Sequence, residues 1–441
     1  MKIKRDRYLE RLVALKHNGL VKVITGIRRC GKSYLLFNLF RGHLRKCGAD
    51  SAHVIEIKLD DERQKALRNP IALGERIRAR LPKDRKPRYV FIDEIQLCRK
   101  VRDPSVNLLE LAPEDRDSAY ITFYDVLNEL MKLPHTDVYV TGSNSKMLSK
   151  DVATNFRDRG VEVRLHPLSF AEFASVAKCE KALAWERYLV WGGMPLAVLD
   201  EDDKSRAQYL KDLFSKVFVR DICERHKLKS DFVLEKVVDM LSSSVGSLTN
   251  PNKLVNALKS TLGVKTSNVT LKKYLGYLED SFLFASVKRF DVKGRHYLDY
   301  PEKYYAEDVG LRNARMNFRQ TERSHLMENV IYNELLLRGC NVDVGVVPVT
   351  VRDGDKVEHR QYEIDFVVNF GVDKVYVQSA FSIPDEAKLK QETRSLRKSG
   401  DFFRKIVVRD GFMPPLADED GIVHVGVVPF LLDESILLGG R

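Results

Sequence analysis

Residues 26–33 contain the side chains whose types and spacing point most directly to chemistry. Their sequence, GIRRCGKS, has the form G-x-x-x-x-G-K-S, which is typical of a phosphate-binding loop. Gly26 and Gly31 permit backbone angles and a close approach that a side chain would block. Backbone N–H groups of such a loop, and the positive end of a helix that follows it, attract an anion. The sequence therefore predicts a site for ATP.

Two residues of this loop have expected roles in holding the nucleotide. We expect Lys32 to reach the β- and γ-phosphates and the Ser33 hydroxyl to coordinate Mg²⁺. A chance match in a basic, glycine-containing loop is the alternative. The apolar runs 20–25 and 33–40 predict a strand before the loop and a helix after it, as the mechanism requires. The residues expected to contact ATP are Gly26, Ile27, Arg28, Arg29, Cys30, Gly31, Lys32, Ser33 and Tyr34.

An apolar run that ends in two acids, YVFIDE at 89–94, supplies the second motif. It has the form of a Walker B strand, which lies buried in a parallel sheet. We expect Asp93 to hold Mg²⁺ and Glu94 to orient and deprotonate the attacking water. The alternative is an edge strand that continues into an acidic turn, but the preceding phosphate-binding loop favours Walker B.

A third apolar strand, 137–142, is followed by Ser143 and Asn144. This is the position at which a polar side chain senses the γ-phosphate, so Asn144 or Ser143 is a candidate for that role. The same Gly-Ser-Asn sequence is also ordinary at the end of a strand.

The elements that must position these side chains alternate between strand and helix through about residue 175. Strands are predicted at 21–25, 53–58, 89–93, 137–141 and 161–165, which indicates a parallel α/β sheet. The pattern then becomes helical from 176 to 230, with a tight break at 190–195, as in a small helical lid.

Composition excludes some classes of protein. With 441 residues, 44% hydrophobic and 31% charged, the chain fits a soluble protein of two or three domains. No apolar run is long enough to span a membrane, and residues 1–12 lack the apolar core of a signal peptide. The six cysteines have neither a C-x-x-C pair nor zinc spacing, so we expect reduced thiols and a cytoplasmic location. The net charge of +12 favours a polyanionic partner, nucleic acid first.

Residues 231–300 have the pattern of a winged helix. Helices are predicted at 232–241, 252–261 and 269–281, and a β-hairpin wing near 287–295. The last helix of such a domain enters the DNA major groove, and the wing contacts phosphates. The alternative is a winged helix that contacts only proteins. The expected DNA-binding residues are Thr266, Asn268, Thr270, Lys272, Lys273, Lys288, Arg289, Lys293 and Arg295.

From about residue 300 the order of elements is that of restriction-endonuclease-like folds. A helix carries Glu328, a strand carries Asp365, and the next strand has Gln378 and Ala380 where such nucleases have Glu-x-Lys. Without the lysine, phosphodiester hydrolysis loses its main cationic group. We therefore expect a degraded nuclease domain that is catalytically inactive.

The chain resembles the bacterial and archaeal AAA+-type ATPases that have an N-terminal AAA core and a C-terminal domain of unknown function of the DUF4143 type. The resemblance extends over nearly the whole chain. It implies an α/β fold made of an AAA+-type P-loop core (1–175), a helical lid (176–230), a winged helix (231–300) and a restriction-endonuclease-like α/β domain (301–441). It rests on the segments 24–33, 91–96, 141–144, 166–173, 191–195, 363–366 and 376–378.

The resemblance also implies an arginine finger just before the strand near 161. Members have Gly-Arg at this place, whereas this chain has Asp158-Arg159, with Arg157 as a nearby substitute. An arginine given by a neighbouring subunit would neutralise charge on the transferred phosphoryl group, so a homo-oligomer, with a ring as one arrangement, is expected. A surface arginine in a salt bridge is the alternative.

Three functions follow as hypotheses. The first is an ATPase that couples Mg-ATP turnover to work on DNA in recombination, repair, replication or mobile-element defence. The second is a nucleotide-gated switch or scaffold whose partners are proteins, reached in part through the C-terminal domain. The third is an ATP-gated nuclease.

Overall fold

The structure is a computed structural model that describes residues 3–107, 111–143, 159–228, 230–263, 266–319, 322–353 and 356–439. The chain divides into two units, Lys2–His166 and Pro167–Arg441. The predicted domain boundaries within the second unit, at 230/231 and 300/301, stay predictions.

A five-stranded parallel sheet forms the centre of the N-terminal unit. Its strands are β1 (Val21–Thr25), β2 (Val54–Lys58), β3 (Arg88–Asp93), β6 (Thr136–Thr141) and β7 (Gly160–Arg164). A separate antiparallel pair consists of β4 (Val101–Arg102) and β5 (Tyr120–Ile121). The five strands lie in the order β2–β3–β6–β1–β7, and each begins or ends within one residue of its predicted position. The central strands are apolar and almost entirely buried because helices cover both faces of such a sheet.

The helices of this unit are α1 (Asp6–Ala14), α2 (32–46), α3 (Pro70–Arg80) and α4 (Phe123–Met131). Helix α2 directly follows the phosphate-binding loop and contains a π-helical stretch, Leu35–Phe40. Its buried side chains include Leu36 and Phe40, and the ring of Phe40 packs on Tyr139 of β6 at 4.8 Å. This packing holds α2, which directly follows the loop, against the sheet.

The C-terminal unit contains twelve described helices. The first four are α5 (Phe170–Val176), α6 (Lys181–Trp191), α7 (Pro195–Leu199) and α8 (203–226). Three more, α9 (Phe232–Ser243), α10 (Pro251–Leu262) and α11 (Asn268–Asp280), lie where the winged helix was predicted. The remaining ones are α12 (Val309–Arg315), α13 (Arg323–Leu337), α14 (Glu386–Lys398), α15 (Val427–Leu432) and α16 (Ser435–Leu438).

A nine-stranded mixed sheet joins the rest of this unit. Its strands are β8 (Leu248–Thr249), β9 (Phe284–Asp291), β10 (His296–Ala306), β11 (Asn341–Asp353), β12 (Lys356–Phe370), β13 (Asp373–Ala380), β14 (Arg404–Arg409), β15 (Leu416–Ala417) and β16 (Val423–Gly426). Their order is β15–β16–β14–β13–β12–β11–β9–β10–β8.

The predicted hairpin wing is part of this sheet. Strands β9 and β10 form the antiparallel hairpin, and β9 also pairs in parallel with β11 through Arg289 opposite Val344. The sequence separated 231–300 from 301–441, but the two regions contribute neighbouring strands to one sheet. A strand bonded on both sides is held more firmly than a free wing.

The segment Trp191–Gly193, which the resemblance singled out, is explained by packing against Asp308 and α12. A Cβ on Gly193 would lie 2.0 Å from the Leu168 carbonyl oxygen. The Gly193 N–H donates to the Asp308 carboxylate at 2.6 Å, and the Leu311 N–H donates to its other oxygen at 2.9 Å. Asp308 therefore caps α12 and binds the end of α6 at once, and burial raises the pKa of its carboxyl to about 6.

Candidate nucleotide-binding site

The phosphate-binding loop connects β1 to α2 and requires its two glycines. Gly26 has φ of +137°, and a Cβ there would lie 2.0 Å from the Leu165 carbonyl oxygen. Gly31 has φ of +103° at the position that precedes Lys32, the first residue of α2. Any side chain at Gly26 would collide with β7's end, so the loop's path depends on glycine.

The Lys32 side chain is directed into the loop. It is buried, and its ammonium donates to the carbonyl oxygens of Gly26 at 2.9 Å and Ile27 at 3.0 Å. Neither carbonyl oxygen carries a formal charge, so these two contacts leave the ammonium without an anionic partner until a ligand binds the loop. The loop's geometry therefore fits the phosphates of a nucleotide.

The other predicted loop residues differ in their exposure. Ile27 and Cys30 are buried, and the Cys30 thiol lies 3.4 Å from the Leu165 carbonyl oxygen, so it packs toward the protein. Arg29 is exposed, whereas Arg28 and Tyr34 are half-buried. Their backbone N–H groups, more than their side chains, suit the phosphate-binding role.

The Walker B aspartate lies next to the loop's serine. The Ser33 hydroxyl donates to the Asp93 carboxylate at 3.1 Å, and the Thr141 hydroxyl donates to the same oxygen. Burial raises the pKa of the Asp93 carboxyl above its ordinary value. The hydrogen bonds from Thr141 and Ser33 oppose this shift but do not reverse it. A hydroxyl and a carboxylate in contact at the end of parallel strands are the oxygen ligands that Mg²⁺ prefers.

Glu94 is held by two groups that the sequence analysis did not select. Its backbone N–H donates to the Thr141 hydroxyl at 3.0 Å, and the Gln96 side-chain amide donates to its carboxylate. The same amide also donates to the Ser143 hydroxyl at 3.2 Å. The structure thus brings Ser143 to this site and adds Thr141 and Gln96. Thr141 ends β6, and Gln96 follows the acidic pair by two residues. These two positions are the sequence signals that could have identified them as site residues.

Three predicted residues require separate mention. Asn144 and Arg157 lie outside the described residues. Arg159 is exposed and precedes β7, whose first residue, Gly160, pairs with Val21 at the start of β1. Because the two strands are parallel, Arg159 lies at the edge of the sheet opposite the loop that follows Thr25.

The predicted DNA-binding residues lie in the C-terminal unit, on α11 and the β9–β10 hairpin. Lys273, Lys293 and Arg295 are exposed, and the exposed Lys272 ammonium lies 5.1 Å from the Tyr300 ring centre of β10. Helix α11 and the hairpin therefore meet at this point. Of the remaining candidates, Asn268 and Lys288 are exposed, and Thr266, Thr270 and Arg289 are half-buried.

Two candidates have partners that restrict them. The Arg289 guanidinium donates to Gln361 of β12 at 3.1 Å, because β9 lies inside the sheet. Asn268 is hydrogen-bonded to Asn252 of α10. These contacts leave Lys272, Lys273, Lys288, Lys293 and Arg295 as the more accessible cations of the set.

Neither a metal-binding cluster nor a membrane-spanning helix occurs among the residues that the structure describes. No group of three or more His, Cys, Asp or Glu side chains within that part of the chain is arranged to hold a metal ion. Across the same residues, no helix combines the length and the apolar character needed to cross a bilayer.

The parallel sheet, the glycine-dependent loop and the Ser33–Asp93 contact define a P-loop domain of the AAA type. Residues 18–174 match the family described as an AAA domain. Residues 182–322 match a domain of unknown function, DUF8612. The resemblance predicted a DUF4143 domain in this part of the chain. The match over these residues is to a different domain, DUF8612.

Relatives of similar length are known in bacteria and archaea. An uncharacterized protein of Haemophilus influenzae is 31% identical over 435 residues, which cover 98% of each chain. The chain therefore belongs to the same family as that protein. An uncharacterized protein of Methanocaldococcus jannaschii is 25% identical over 395 residues, with 86% of this chain and 78% of the other covered.

Among solved structures, a Walker-type ATPase of Pyrococcus abyssi is similar to this chain. The alignment has a TM-score of 0.43 and 14% identity, and it covers 71% of this chain and 96% of that one.

Proposed function

We propose that this protein binds Mg-ATP in the loop at 26–33 and hydrolyses it. The observation that supports this most directly is the contact between the Ser33 hydroxyl and the Asp93 carboxylate, 3.1 Å apart, beside the buried Lys32 ammonium. These groups come from positions 60 residues apart in sequence and still meet at one end of the sheet. Such convergence is not expected of a chance match to a short motif.

Each residue has a defined part in this proposal. Lys32 neutralises the phosphates, and the loop's N–H groups orient them. Ser33 and Asp93 hold Mg²⁺, which when bound supplies positive charge to the phosphate oxygens. Glu94 accepts the proton of the attacking water, and Gln96 and Ser143 position its carboxylate.

We further propose that ATP turnover drives work on DNA. The support is the set of exposed cations on α11 and on the hairpin, Lys272, Lys273, Lys288, Lys293 and Arg295, together with the net charge of +12. Three helices followed by a hairpin, with β8 paired to β10, agree with the winged-helix interpretation. Phosphate contacts by these cations would make DNA binding strongly salt-dependent.

A nucleotide-gated switch acting on protein partners is the second candidate. The same hydrogen bond from the Gln96 amide to the Glu94 carboxylate is compatible with this candidate, because it engages one of the two oxygens that could accept a proton from water. In this candidate ATP binding orders an assembly, and hydrolysis serves only to release it.

A rate measurement separates the two candidates. Phosphate release by the full-length protein is followed with Mg-ATP at low and moderate salt, with and without duplex DNA, and with Lys32→Ala as the blank. We expect DNA to stimulate turnover and the stimulation to fall as salt rises. A turnover rate that DNA does not change at any salt concentration would favour the switch. No turnover in any condition would refute the proposed ATPase.

A further inference from the structure

A buried lysine lies at the centre of the acidic residues that define the nuclease-like fold. Lys303, on β10, has a side chain only 4% exposed. Its ammonium nitrogen lies 2.8 Å from a Glu363 oxygen, 2.9 Å from a Glu328 oxygen and 3.4 Å from an Asp365 oxygen. An ammonium has three N–H groups, so each can be directed to one carboxyl group.

The acids come from the elements that the sequence pattern identified. Glu328 is on α13, and Glu363 and Asp365 lie two residues apart on β12 and so share one face of that strand. Neighbouring groups complete their hydrogen bonding. The Tyr305 hydroxyl donates to Glu328 at 2.6 Å, and the Ser379 N–H donates to Asp365 at 2.8 Å.

We propose that Lys303 is the resident cation of this cluster, in the place where a nuclease of this fold holds a divalent metal ion. The site is then an internal ion-pair centre that excludes Mg²⁺ and Mn²⁺ and cleaves no phosphodiester. Gln378 and Ala380, which stand where Glu-x-Lys would, remove one ligand and the catalytic cation from the sequence. In this structure Lys303, which lies on β10, places an ammonium in contact with the carboxyl groups of the cluster.

Charge balance supports this assignment. Burial alone would lower the pKa of Lys303, but Glu328, Asp365 and Glu363 raise it above its usual value, so the ammonium stays charged. Burial and then Glu328 raise the pKa of Asp365 to about 8, although Lys303 opposes this. The ammonium offsets part of the charge of the three carboxyl groups and lies in the space between them, so a divalent ion meets a weaker attraction and a position that is already filled.

The ion pairs also connect the hairpin to the rest of the sheet. Lys303 is on the strand that continues from the hairpin turn at 291–296, and its partners belong to α13 and β12. Breaking the cluster leaves buried carboxylates without a cation, which is strongly unfavourable. We therefore expect Lys303 to stabilise the attachment of the hairpin.

The test uses Mn²⁺ alone with the full-length protein, without ATP or DNA, so it is independent of the proposed function. Thermal melts are recorded with and without Mn²⁺ for the parent, Lys303→Ala, Glu328→Gln, Lys303→Ala/Glu328→Gln, and Lys288→Ala as an exposed control on the same hairpin. We expect Lys303→Ala to melt lower than the parent and to regain several degrees with Mn²⁺. The double variant should gain no more than the parent, and Lys288→Ala should match the parent.

Two results would overturn the proposal. One is a Lys303→Ala protein that folds but gains no more from Mn²⁺ than the parent. The other is a rise in the melting temperature of the parent with Mn²⁺ that is absent in Glu328→Gln. In that case the native cluster would bind the metal. If Lys303→Ala does not fold, the Glu328→Gln comparison decides: an unchanged Mn²⁺ response supports the ammonium as resident cation, and a lost response refutes it.

Discussion

At the scale of single residues, the nucleotide site depends on a few polar groups that meet only in the folded chain. Lys32, Ser33 and Asp93 were identified from motif spacing because local sequence dictates a loop between a strand and a helix. Gln96 was not, because its contact with Glu94 and Ser143 depends on a short 3₁₀ turn, Ile95–Leu97, that follows Glu94 in a left-handed conformation. Lys303 was also missed, since nothing in its own segment indicates three acids 25 to 62 residues away.

Replacing Lys32 tests the phosphate-binding role. Lys32→Ala should weaken ATP binding by about 100-fold, since a charge-assisted contact of about 3 kcal/mol is lost. Calorimetric titration with Mg-ATP measures the effect. Lys46→Ala, at the other end of α2 and exposed, is the control and should bind as the parent does. Unaltered affinity in Lys32→Ala would contradict the loop assignment.

Replacing Glu94 separates binding from chemistry. Glu94→Gln should keep ATP affinity but reduce the turnover rate by about 10²–10⁴-fold, because the amide cannot accept a proton. Nucleotide titration and phosphate release are measured on the same preparation. The exposed Glu75→Gln serves as a matched change elsewhere in the unit. A Glu94→Gln protein with parental turnover would assign the base to another group.

At the scale of elements, periodicity predicted the five strands of the N-terminal sheet to within one residue and the helices α9, α10 and α11 to within two. The central strands were predictable because they are continuous apolar runs. The pairing of β9 with β11 was not, since register between strands some 50 residues apart depends on how the sheet assembles. For the same reason, the sequence could not tell a free wing from a strand inside a sheet.

The cap of α12 predicts a pH dependence of stability. The folded-state pKa of Asp308, about 6, lies above its ordinary value of 3.8, so the folded protein binds its proton more tightly than the unfolded chain does. The stabilising contribution is complete below about pH 4 and is lost as pH rises through 6, by up to about 3 kcal/mol. Relative to Asp308→Asn, the parent should therefore lose melting temperature between pH 5 and pH 7.5.

Melts of both proteins at several pH values between 4.5 and 7.5 check this expectation. Asp299→Asn, a change at an exposed position, is the control and should leave the difference from the parent independent of pH. A constant difference between parent and Asp308→Asn across the range would mean that Asp308 is charged throughout.

Removing two cations from α11 tests the DNA surface. Lys272→Ala/Lys273→Ala should weaken duplex binding and reduce the slope of log K against log salt concentration by about 2. Fluorescence anisotropy at a series of salt concentrations gives both quantities. Lys388→Ala/Lys390→Ala on α14 removes the same charge from the same unit and should change the slope little. Equal slopes for the two double variants would locate the DNA surface elsewhere.

At the scale of the whole molecule, the position of Arg159 bears on assembly. It is exposed at the edge of the parallel sheet opposite its own phosphate-binding loop, so it is poorly placed to serve that loop. If Arg159 is the arginine finger that the resemblance implies, a neighbouring copy of the chain would have to supply it. The alternative, a surface arginine without a catalytic role, predicts a fully active Arg159→Ala protein.

Mixing two inactive variants tests this arrangement. Arg159→Ala and Glu94→Gln should each have low turnover, but a mixture should recover part of it, because an intact site on one subunit meets an intact arginine on the next. Phosphate release is measured at varied ratios, and sedimentation gives the size of the assembly. No recovery at any ratio, although both variants form the parental assembly, would exclude an arginine supplied in trans.

Strand β9 is hydrogen-bonded to β10 on one side and β11 on the other, and this has a thermodynamic consequence for whatever binds at the hairpin turn. The basic turn is already ordered before a ligand arrives, so association would not include the entropy loss of a loop that folds on binding. The surface would accept nucleic acid whose backbone already matches it and would adapt little to other shapes. If the turn binds DNA as proposed, we expect it to select by the geometry of the duplex more than by its sequence.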